Sequence, residues 1–240
     1  MHDWLEADWP AADFIKAGTT FRQGGVSQSP YTSLNLATHV GDKLEDVNKN
    51  RLQLVLPNTT QWLEQTHSLV AVSLPNTETI PKADASYTDK NQVVCSVLTA
   101  DCLPLLVTDK KGRNVAAIHA GWRGLCEGII ENTLKQLPFA TQDCLVWLGP
   151  AISVEVYEVG QDVYDAFCAV EVSAKSSFTK TREGHWLFDI YALAKQRLNN
   201  IGVKNIYGGH HCSYTEEEHF FSYRRDGTTG RMASMIWIDK

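Results

Sequence analysis

Residues 114–138 read NVAAIHAGWRGLCEGIIENTLKQLP, and the change of pattern inside this stretch decides the fold. The apolar residues over 114–119 predict a short buried strand. Gly121 and Gly124 then turn the chain into a predicted helix, which Pro138 ends. The predicted apolar face of that helix consists of Leu125, Ile129, Ile130, Leu134 and Leu137. A strand that runs directly into a helix indicates a sheet that is covered by helices.

Strand and helix patterns continue on both sides of this stretch. Apolar and β-branched residues predict a strand over 93–107 that bends or ends at 99–102 and at Pro104. Further strands are predicted near 145–148, 204–207 and 232–238, and helices over 161–169 and 187–200. Sequential strands mixed with alternating strand and helix units predict an α+β fold, with a central mixed β-sheet or sandwich flanked by helices.

The N-terminal part is predicted to combine a loop with one helix. Turn-forming residues over 21–36 indicate a loop with a short strand. Asp42 and Glu45 resemble a capping box at the start of a helix that stops at Pro57. The predicted apolar stripe of this helix is Leu44, Val47, Leu52 and Val55. No repeat or linker divides the sequence, so residues 1–240 are expected to form a single domain.

The composition indicates that the partners are small molecules. The chain has 240 residues, of which 43% are hydrophobic, and a formal net charge of -6. We expect neither nucleic acid nor an anionic membrane as a partner, because phosphate groups are held largely by clustered Lys and Arg. An acidic N-terminus, no long apolar run and six cysteines without CxxC spacing predict a cytoplasmic location. These patterns leave the oligomeric state open.

Three residues are candidates for metal binding, although the local pattern supports them unequally. His119 ends the predicted strand just before a helix, where α/β proteins often build their sites. Cys102 lies in an apolar run and is, by itself, better explained as a small buried hydrophobe. His67 is, by itself, better explained as an ordinary turn or helix-end histidine. Local chemistry therefore favours His119 above the other two.

Arg123 and the glycines around it predict an anion site. Gly121 and Gly124 let the backbone approach a ligand closely, and the helix that follows offers free N–H groups. The guanidinium of Arg123 can donate two parallel hydrogen bonds to a phosphate or a carboxylate. The alternative is that the glycines only permit a tight turn and that Arg123 is solvated.

Two further polar segments have more than one interpretation. The basic, aromatic segment 220–231 is predicted to be a loop, which either serves the function or only forms surface ion pairs with Asp226. The His-His-Cys segment 210–212 and the nearby His219 suggest a second metal site, but adjacent histidines on a strand point to opposite faces. We therefore interpret this group as structural or as supporting other residues.

Four sequence blocks carry a more specific signal. They are FRQGGVS over 21–27 with SLNL over 33–36, WLEQTH over 62–67, TADCLP over 99–104 with AIHAGWRG over 117–124, and FSYRRDG over 221–227 with TGR over 229–231. Together and in this order they resemble the laccase-domain (YfiH-like) family, and the likeness spans nearly the whole chain. Thr66 and Ser68 stand where relatives often have Val and Gly, and neither change removes a candidate ligand.

The resemblance implies a metal centre. The family pattern places the metal ligands at His67, Cys102 and His119, which would hold one zinc per chain, with copper as a second possibility. Two imidazoles and one thiolate suit zinc and leave a fourth position for water or substrate. Blue-copper sites also use a weak axial Met. No such ligand is obvious among the methionines of this chain, which are Met1, Met232 and Met235.

The resemblance also implies roles for residues beside the metal. Arg123, singled out above by local chemistry, is a catalytic candidate together with the three ligands. The resemblance makes Asn35, Asp101 and Arg224 candidates for contacting the substrate or orienting a ligand. Asp101 adjoins Cys102 in sequence, but in a regular strand its side chain would face the other way. No Glu adjoins the ligands as an acid/base group, in contrast to zinc deaminases.

The activity that the resemblance implies is phosphorolysis of the purine nucleosides adenosine, inosine or methylthioadenosine, with adenosine deamination as a side activity. A nucleoside and phosphate would then be the substrates. Copper-dependent, laccase-like polyphenol oxidation is the lesser interpretation, because multicopper oxidases use His-x-His pairs and none occurs among the eight histidines. A further alternative is a hydrolase with Cys102 and His119 as its nucleophile pair, which edits peptidoglycan precursors. A structural zinc protein is disfavoured, because three ligands leave the metal under-coordinated.

Overall fold

The structure is a computed structural model that describes residues 4–57 and 59–240. The strands are β1 (Trp4–Glu6), β2 (Ile15–Thr20), β3 (Thr59–Thr60), β4 (Ala71–Ser73), β5 (Ala85–Thr88), β6 (Val93–Thr99), β7 (Leu103–Asp109), β8 (Val115–Ala120), β9 (Cys144–Leu148), β10 (Glu158–Gly160), β11 (Phe178–Arg182), β12 (His185–Phe188), β13 (Asn205–Gly208) and β14 (Met232–Ile238). The helices are α1 (Leu44–Gln53), α2 (Trp122–Glu127), α3 (Ile129–Lys135), α4 (Gln161–Val170), α5 (Ile190–Asn200) and α6 (Tyr223–Asp226). Within the described ranges, no helix is both long enough and apolar enough to cross a membrane.

Two large mixed sheets form the centre of the fold. The first sheet has the strand order β1-β2-β14-β6-β3, and the second has the order β13-β9-β7-β8-β5-β4. Most neighbours are antiparallel, but β3 pairs parallel with β6, β13 with β9, and β4 with β5. A small third sheet has the order β10-β12-β11. The predicted α+β class with mixed sheets is confirmed.

Alternate residues of the central strands point into different apolar layers. In β6, Cys95 and Val97 pack against the second sheet, whereas Val94 and Leu98 face the opposite way, toward the loop over 34–37. This alternation follows from the two-residue period of a strand. Helices α2 to α5 cover the outer face of the second sheet through a layer that includes Leu125, Ile129, Phe167, Leu193 and Leu198. The two sheets therefore share one apolar layer, the helices add a second on the second sheet, and the loop over 34–37 adds a third on the first sheet.

The helix predicted after Gly121 is in fact two helices. The first, α2, ends at Glu127 and α3 begins at Ile129, because Gly128 between them adopts a left-handed conformation with a φ of 103°. Glycine reaches this conformation without the steric cost that a Cβ atom brings. The predicted apolar face still packs on the second sheet, at Leu125, Ile129, Ile130, Leu134 and Leu137. The predicted periodicity was therefore right, and only the predicted continuity was wrong.

Helix α1 differs from its prediction at its cap and at its buried face. Its N-cap is Lys43 rather than Asp42, although the Asp42 carboxylate accepts the backbone N–H of Lys43 at 2.7 Å. Val47 is buried, but most of the predicted apolar stripe is exposed, at Leu44, Leu52 and Val55. The main anchor is the buried amide of Asn50, which hydrogen-bonds to backbone groups of residues 26–35. The helix therefore docks through a polar contact, which an apolar periodicity cannot indicate.

Candidate metal centre

The chain crosses from the first large sheet to the second immediately before Cys102. Strand β6 belongs to the first sheet and ends at Thr99, and β7 belongs to the second and begins at Leu103. The predicted break in this strand is confirmed. The crossing includes Asp101, whose φ of 90° is left-handed. Asp101 is therefore not part of a regular strand, so the strand geometry assumed for it does not apply.

His119 reaches the same place from strand β8. It stands opposite Pro104 of the neighbouring strand β7. Strand alternation puts its side chain on the same face as Val115 and Ala117, which pack toward the first sheet. The side chain is buried, with only 4% of its surface exposed. His119 therefore points into the space where the two sheets meet.

Asp84, a residue that the sequence interpretation missed, organises two of the three candidate ligands. Its buried carboxylate accepts a hydrogen bond from Nδ1 of His119 at 2.8 Å. It also accepts the backbone N–H groups of Thr66 at 3.2 Å and His67 at 3.0 Å, and the hydroxyl of Ser68 at 2.7 Å. These bonds hold His67 in a left-handed conformation, with a φ of 58°. One carboxylate thus ties the loop of His67 to the strand of His119.

Hydrogen bonding explains why Asp84 stays ionised although it is buried. Burial raises the pKa of its carboxyl, but hydrogen bonds from His119 and Ser68 outweigh burial and hold the pKa at about 2. A carboxylate can only accept a hydrogen bond, so Nδ1 of His119 carries the proton. Its Nε2 atom is then free to bind a metal, the arrangement in which a carboxylate orients a histidine ligand.

The side chains of His67, Cys102 and His119 converge. Their potential ligand atoms all lie within 4.8 Å of one another, and Nε2 of His67 is 3.9 Å from Sγ of Cys102. The imidazole rings of His67 and His119 are 4.8 Å apart, centroid to centroid, and meet edge to face. His67 is exposed, Cys102 is half-buried and His119 is buried. Among the described residues, this is the one group of His, Cys, Asp and Glu side chains close enough to share a metal ion.

The charges of this group suit a metal centre. Burial raises the pKa of the Cys102 thiol, but the imidazoles of His119 and His67 outweigh burial and lower it. Burial lowers the pKa of His119, whereas the Cys102 thiolate and the Asp84 carboxylate raise it by more. Without a cation, the pair therefore favours a thiolate beside an imidazolium. A thiolate is the form of cysteine that binds a metal.

Gly121 makes room for the converging side chains. A Cβ atom at this position would lie 2.6 Å from Cδ2 of His67 and 3.2 Å from Sγ of Cys102. Its backbone, with a φ of -65°, is one that any residue can adopt. Glycine is therefore required here for space rather than for conformation. A thiolate and two imidazoles in this arrangement fit a divalent metal such as zinc.

The three side chains open into a cavity of about 400 Å³. The cavity is also lined by His39, Gln65, Leu98, Thr99, Ala100, Tyr223 and Arg231. Gln65 is committed to the fold, because its amide exchanges hydrogen bonds with the backbone N–H and carbonyl of Leu98. Tyr223 begins helix α6 and is 60% exposed. The C-terminal segment 220–231 was predicted as a loop but contains this short helix, and it supplies part of the wall around the candidate ligands.

Asp101 and Arg224 lie beside the centre and connect its loops. The Asp101 carboxylate accepts hydrogen bonds from the hydroxyl of Ser213 at 2.7 Å and from the backbone N–H of Arg224 at 2.6 Å. The guanidinium of Arg224 donates to the carbonyl of Glu158 at 2.9 Å and lies over the ring of Tyr157. Both residues therefore hold the C-terminal loop against the crossing that carries Cys102.

Asn35 and Arg123, the remaining candidate residues, lie in different surroundings. Asn35 is buried, and its Oδ1 atom accepts the backbone N–H groups of Ala37 and Arg231, each at 3.0 Å. It therefore positions Arg231. The guanidinium of Arg123 lies over the ring of Trp122, 4.3 Å from its centroid. Arg123 is not one of the described residues that line the cavity.

The His-His-Cys segment after β13 makes contacts of its own. Strand β13 ends at Gly208, so His210 and His211 do not alternate as they would on a strand, and their rings are 4.6 Å apart. Nδ1 of His211 is 2.9 Å from the Glu216 carboxylate, which also accepts the backbone N–H of Cys212 at 2.7 Å. The expected strand geometry was wrong.

Several known proteins are similar to this chain over its whole length. Proteins named purine nucleoside phosphorylase are 48% identical, in Haemophilus influenzae over 98% of this chain and 99% of that protein, and in Escherichia coli over 99% and 100%. The crystal structure of a Neisseria meningitidis protein matches with a TM-score of 0.94 and 49% identity, over 99% of both chains. The structure of YlmD from Geobacillus stearothermophilus matches with a TM-score of 0.88 and 30% identity, over 99% of this chain and 96% of that one.

These likenesses agree with the four sequence blocks and with the fold. Residues 16–239 match the family described as multi-copper polyphenol oxidoreductase laccase. That range includes both sides of the cavity and all three converging side chains. The chain therefore belongs to this laccase-domain family.

Proposed function

We propose that this chain is a zinc-dependent purine nucleoside phosphorylase that acts on adenosine, inosine and methylthioadenosine, with adenosine deamination as a side activity. The observation that carries the proposal is the His67, Cys102 and His119 group, which opens into a cavity of about 400 Å³. The names of the relatives that are 48% identical over nearly the whole chain support the reaction. Support for zinc comes from the ligand set, one thiolate and two imidazoles.

Phosphorolysis requires two substrates to meet in one cavity. An oxygen of phosphate forms a bond to C1′ of the ribose, and the bond from C1′ to the purine nitrogen breaks. The electron pair of that bond leaves with the purine, which takes up a proton, and ribose 1-phosphate is the second product. When bound, a divalent metal would supply Lewis-acid polarisation of a substrate oxygen or nitrogen.

The residues of this chain would hold and orient the reactants. His67, Cys102 and His119 would hold the ion, while Asp84 fixes the imidazole of His119 through its Nδ1 atom. Arg123, at the start of α2, is a candidate to bind phosphate from outside the described cavity wall. No Asp or Glu is among the described residues that line the cavity, so the proton for the purine would come from another type of side chain or from water.

We also propose that residues 1–240 act as a single domain in the cytoplasm. The family match extends over residues 16–239, which supports one domain. The six cysteines are free thiols, as expected in a reducing compartment.

The first test is whether cleavage of adenosine depends on phosphate. Purified protein that holds about one zinc per chain should convert adenosine and phosphate to adenine and ribose 1-phosphate, and should not do so without phosphate. His119→Ala should abolish both zinc binding and turnover. His185→Ala should change neither, because His185 lies on β12 of the third sheet and is not among the described residues that line the cavity. Full nucleoside cleavage by a His119→Ala variant shown to be metal-free would contradict the proposal.

A hydrolase is the second candidate, and one observation favours it. Asp84, His119 and Cys102 form a carboxylate–imidazole–thiol series like that of cysteine hydrolases. Such an enzyme, for example one that edits peptidoglycan precursors, would form an acyl intermediate on Cys102 and release the amine or alcohol of its substrate. Alkylation of Cys102 in metal-free protein, with loss of hydrolysis, and an acyl adduct seen by mass spectrometry would favour this candidate.

Copper-dependent polyphenol oxidation remains the third candidate, and the family description is its support. Blue-copper sites use a weak methionine ligand, and Met232 is not available for that role. The Sδ atom of Met232 accepts the backbone N–H of Phe221 at 3.0 Å and is buried. Oxygen uptake with a phenol substrate by copper-loaded protein, at a rate above that of His119→Ala, would favour this candidate.

A further inference from the structure

The metal cavity is lined by one arginine and one further histidine besides the candidate ligands. Arg231 and His39 line it together with Tyr223, and no carboxylate is among the described lining residues. Burial lowers the pKa of the Arg231 guanidinium. The negative charge of the Cys102 thiolate raises it, but by less. A partly buried guanidinium without a carboxylate partner favours an anionic ligand.

Arg231 is held so that one edge of its guanidinium remains available. Its Nη1 atom donates to the carbonyls of Thr229 at 2.9 Å and Gly230 at 3.0 Å. Its backbone N–H is fixed by Oδ1 of Asn35 at 3.0 Å. In the described part of the chain, no residue accepts a hydrogen bond from Nε or Nη2 of Arg231. These two donors form the parallel fork that binds two oxygens of a phosphate.

His39 stands at the same cavity as a second donor. No hydrogen-bond partner of its imidazole is found within residues 4–57 and 59–240. Partial burial and the charges of Arg231 and Arg51 lower the pKa of His39 below 6.5. A neutral imidazole still has one N–H group to donate. It can therefore join Arg231 in binding an anion without adding repulsion between two positive charges.

The other arginines near the centre are not among the described residues that line the cavity. Arg225 donates to the Asp226 carboxylate and to the backbone carbonyls of Ser213, Tyr214 and Phe220. Arg224 donates to the carbonyl of Glu158, and Arg123 lies over the ring of Trp122. Arg231 is the arginine that lines the cavity and keeps two adjacent donors free of described partners.

We propose that Arg231, assisted by His39, binds the phosphate co-substrate inside the metal cavity. This inference rests on the proposed phosphorylase function, and it assigns to Arg231 the part that the sequence motif assigned to Arg123. The ligand chemistry is a phosphoryl oxyanion, held by Nε and Nη2 of Arg231 on the side of the cavity that faces Cys102. Phosphate and the metal would then lie on opposite sides of one space of about 400 Å³, in which the ribose carbon is attacked.

The test is direct binding of inorganic phosphate to zinc-loaded protein, measured by calorimetry together with the zinc content. Arg231→Met should weaken phosphate binding by about 10-fold or more, because a hydrogen-bonded charge pair is lost. Arg231→Lys should lose less, since it keeps the charge but not the fork. Arg113→Met is the matched control, because Arg113 is exposed near the turn between β7 and β8. Its phosphate affinity and zinc content should match those of the original protein.

Several outcomes would overturn the assignment. Unchanged phosphate affinity in both Arg231 variants would do so, and so would weaker binding in Arg123→Met alone. If Arg231→Met does not fold, Arg231→Lys and His39→Gln decide, and both should weaken phosphate binding. Adenosine 5′-phosphate distinguishes the source of the phosphoryl group. If the Arg231 variants lose affinity for this nucleotide but not for free phosphate, the cavity does not bind phosphate as a co-substrate.

The test also separates this inference from the proposed function. If Arg231→Met loses phosphate affinity but the original protein does not cleave nucleosides with phosphate, the anion site stands and the phosphorylase proposal fails. If the original protein is a phosphorylase and Arg231→Met keeps its KM for phosphate, the function stands and the anion site fails. With both correct, the KM for phosphate rises and the KM for the nucleoside changes little.

Discussion

The carboxylate of Asp84 accepts the Nδ1–H of His119 at 2.8 Å and, through the same side chain, the backbone N–H of His67 at 3.0 Å. Two candidate ligands from separate parts of the sequence are therefore oriented by one buried group. The third, Cys102, follows the crossing between the two large sheets. The centre is thus built from the junction of a loop, a strand and a crossing.

Replacing Asp84 should weaken the metal centre without removing a ligand. Asp84→Asn removes the negative charge and can place an amide N–H opposite the Nδ1–H of His119. Two donors cannot bond to each other, so the imidazole of His119 loses its fixed orientation. We expect zinc affinity to fall by about 10- to 100-fold, the usual effect of losing a group that orients a ligand. Competition with a chelator measures the affinity. The control is Asp89→Asn, on an exposed residue paired with Lys90, and equal affinities in the two variants would contradict the role of Asp84.

Gly121→Ala should disrupt the centre through steric overlap alone. The new Cβ atom would lie 2.6 Å from Cδ2 of His67, although the backbone at Gly121 suits alanine. We expect zinc affinity to fall by at least about 10-fold, because ligand geometry must be held within about 0.5 Å. Gly124→Ala, in the same turn, is the matched control, since its nearest contacts are at an ordinary 3.5 Å. If Gly121→Ala binds zinc as tightly as Gly124→Ala does, the absence of a side chain at Gly121 is not required for zinc affinity.

Tyr223 should contribute to binding of the purine. Tyr223 lines the cavity and is 60% exposed. The Arg231 guanidinium lies over its ring, 5.8 Å from the centroid, and the other face is left for stacking on a base. Tyr223→Ala should raise the KM for adenosine by about 5- to 100-fold, given the usual value of base stacking on an aromatic ring. Tyr223→Phe should retain most of the affinity. Steady-state kinetics at saturating phosphate measure both, and an unchanged KM in Tyr223→Ala would rule out stacking at this ring.

Asp109 should make the fold sensitive to acid. Its carboxylate accepts the backbone N–H groups of Arg113 at 2.7 Å and Asn114 at 3.0 Å. Burial raises its pKa, but these hydrogen bonds lower it below 3.8. As the pH falls, Asp109 therefore takes up a proton in the unfolded chain before it does so in the folded protein. Its contribution to stability is complete above the pKa of the unfolded chain and is lost as the pH falls through the pKa of the folded protein.

Denaturant unfolding of Asp109→Asn measures this contribution. The free energy of unfolding should fall less in Asp109→Asn than in the original protein between about pH 6 and about pH 3. Asp13→Asn, at an exposed carboxyl, should behave like the original protein. Parallel pH dependences in all three proteins would show that Asp109 is not stabilised by folding.

The sequence predicts most of the central elements because their patterns are local. Strand β14 matches its predicted range over 232–238, and the break between β6 and β7 falls where polar residues interrupt the apolar run. The short strands β4 and β5 and the small third sheet were not predicted, because strands of three to five residues give no clear alternation. The polar docking of α1 through Asn50 also leaves no apolar period.

The candidate site also contains some residues that a local sequence pattern indicates and others that it does not. His119 could be identified from a strand that ends before a glycine turn, whereas His67 and Cys102 required the family resemblance. Asp84 was missed because one acidic residue in the short segment KADAS has no local pattern, and its partners are 16 to 35 positions away in sequence. Arg231 belongs to the TGR block over 229–231, which has no local pattern of its own. Its place in the cavity depends on the pairing of β14 with β6, which brings its neighbour Met232 opposite Thr99.

The central claim is that His67, Cys102 and His119 share one metal ion. X-ray absorption at the zinc edge of loaded protein tests it directly. We predict one sulfur at about 2.3 Å and two imidazole nitrogens at about 2.0–2.1 Å, and loss of the sulfur scatterer in Cys102→Ser. A zinc environment without sulfur in the original protein, or one that Cys102→Ser leaves unchanged, would contradict the claim.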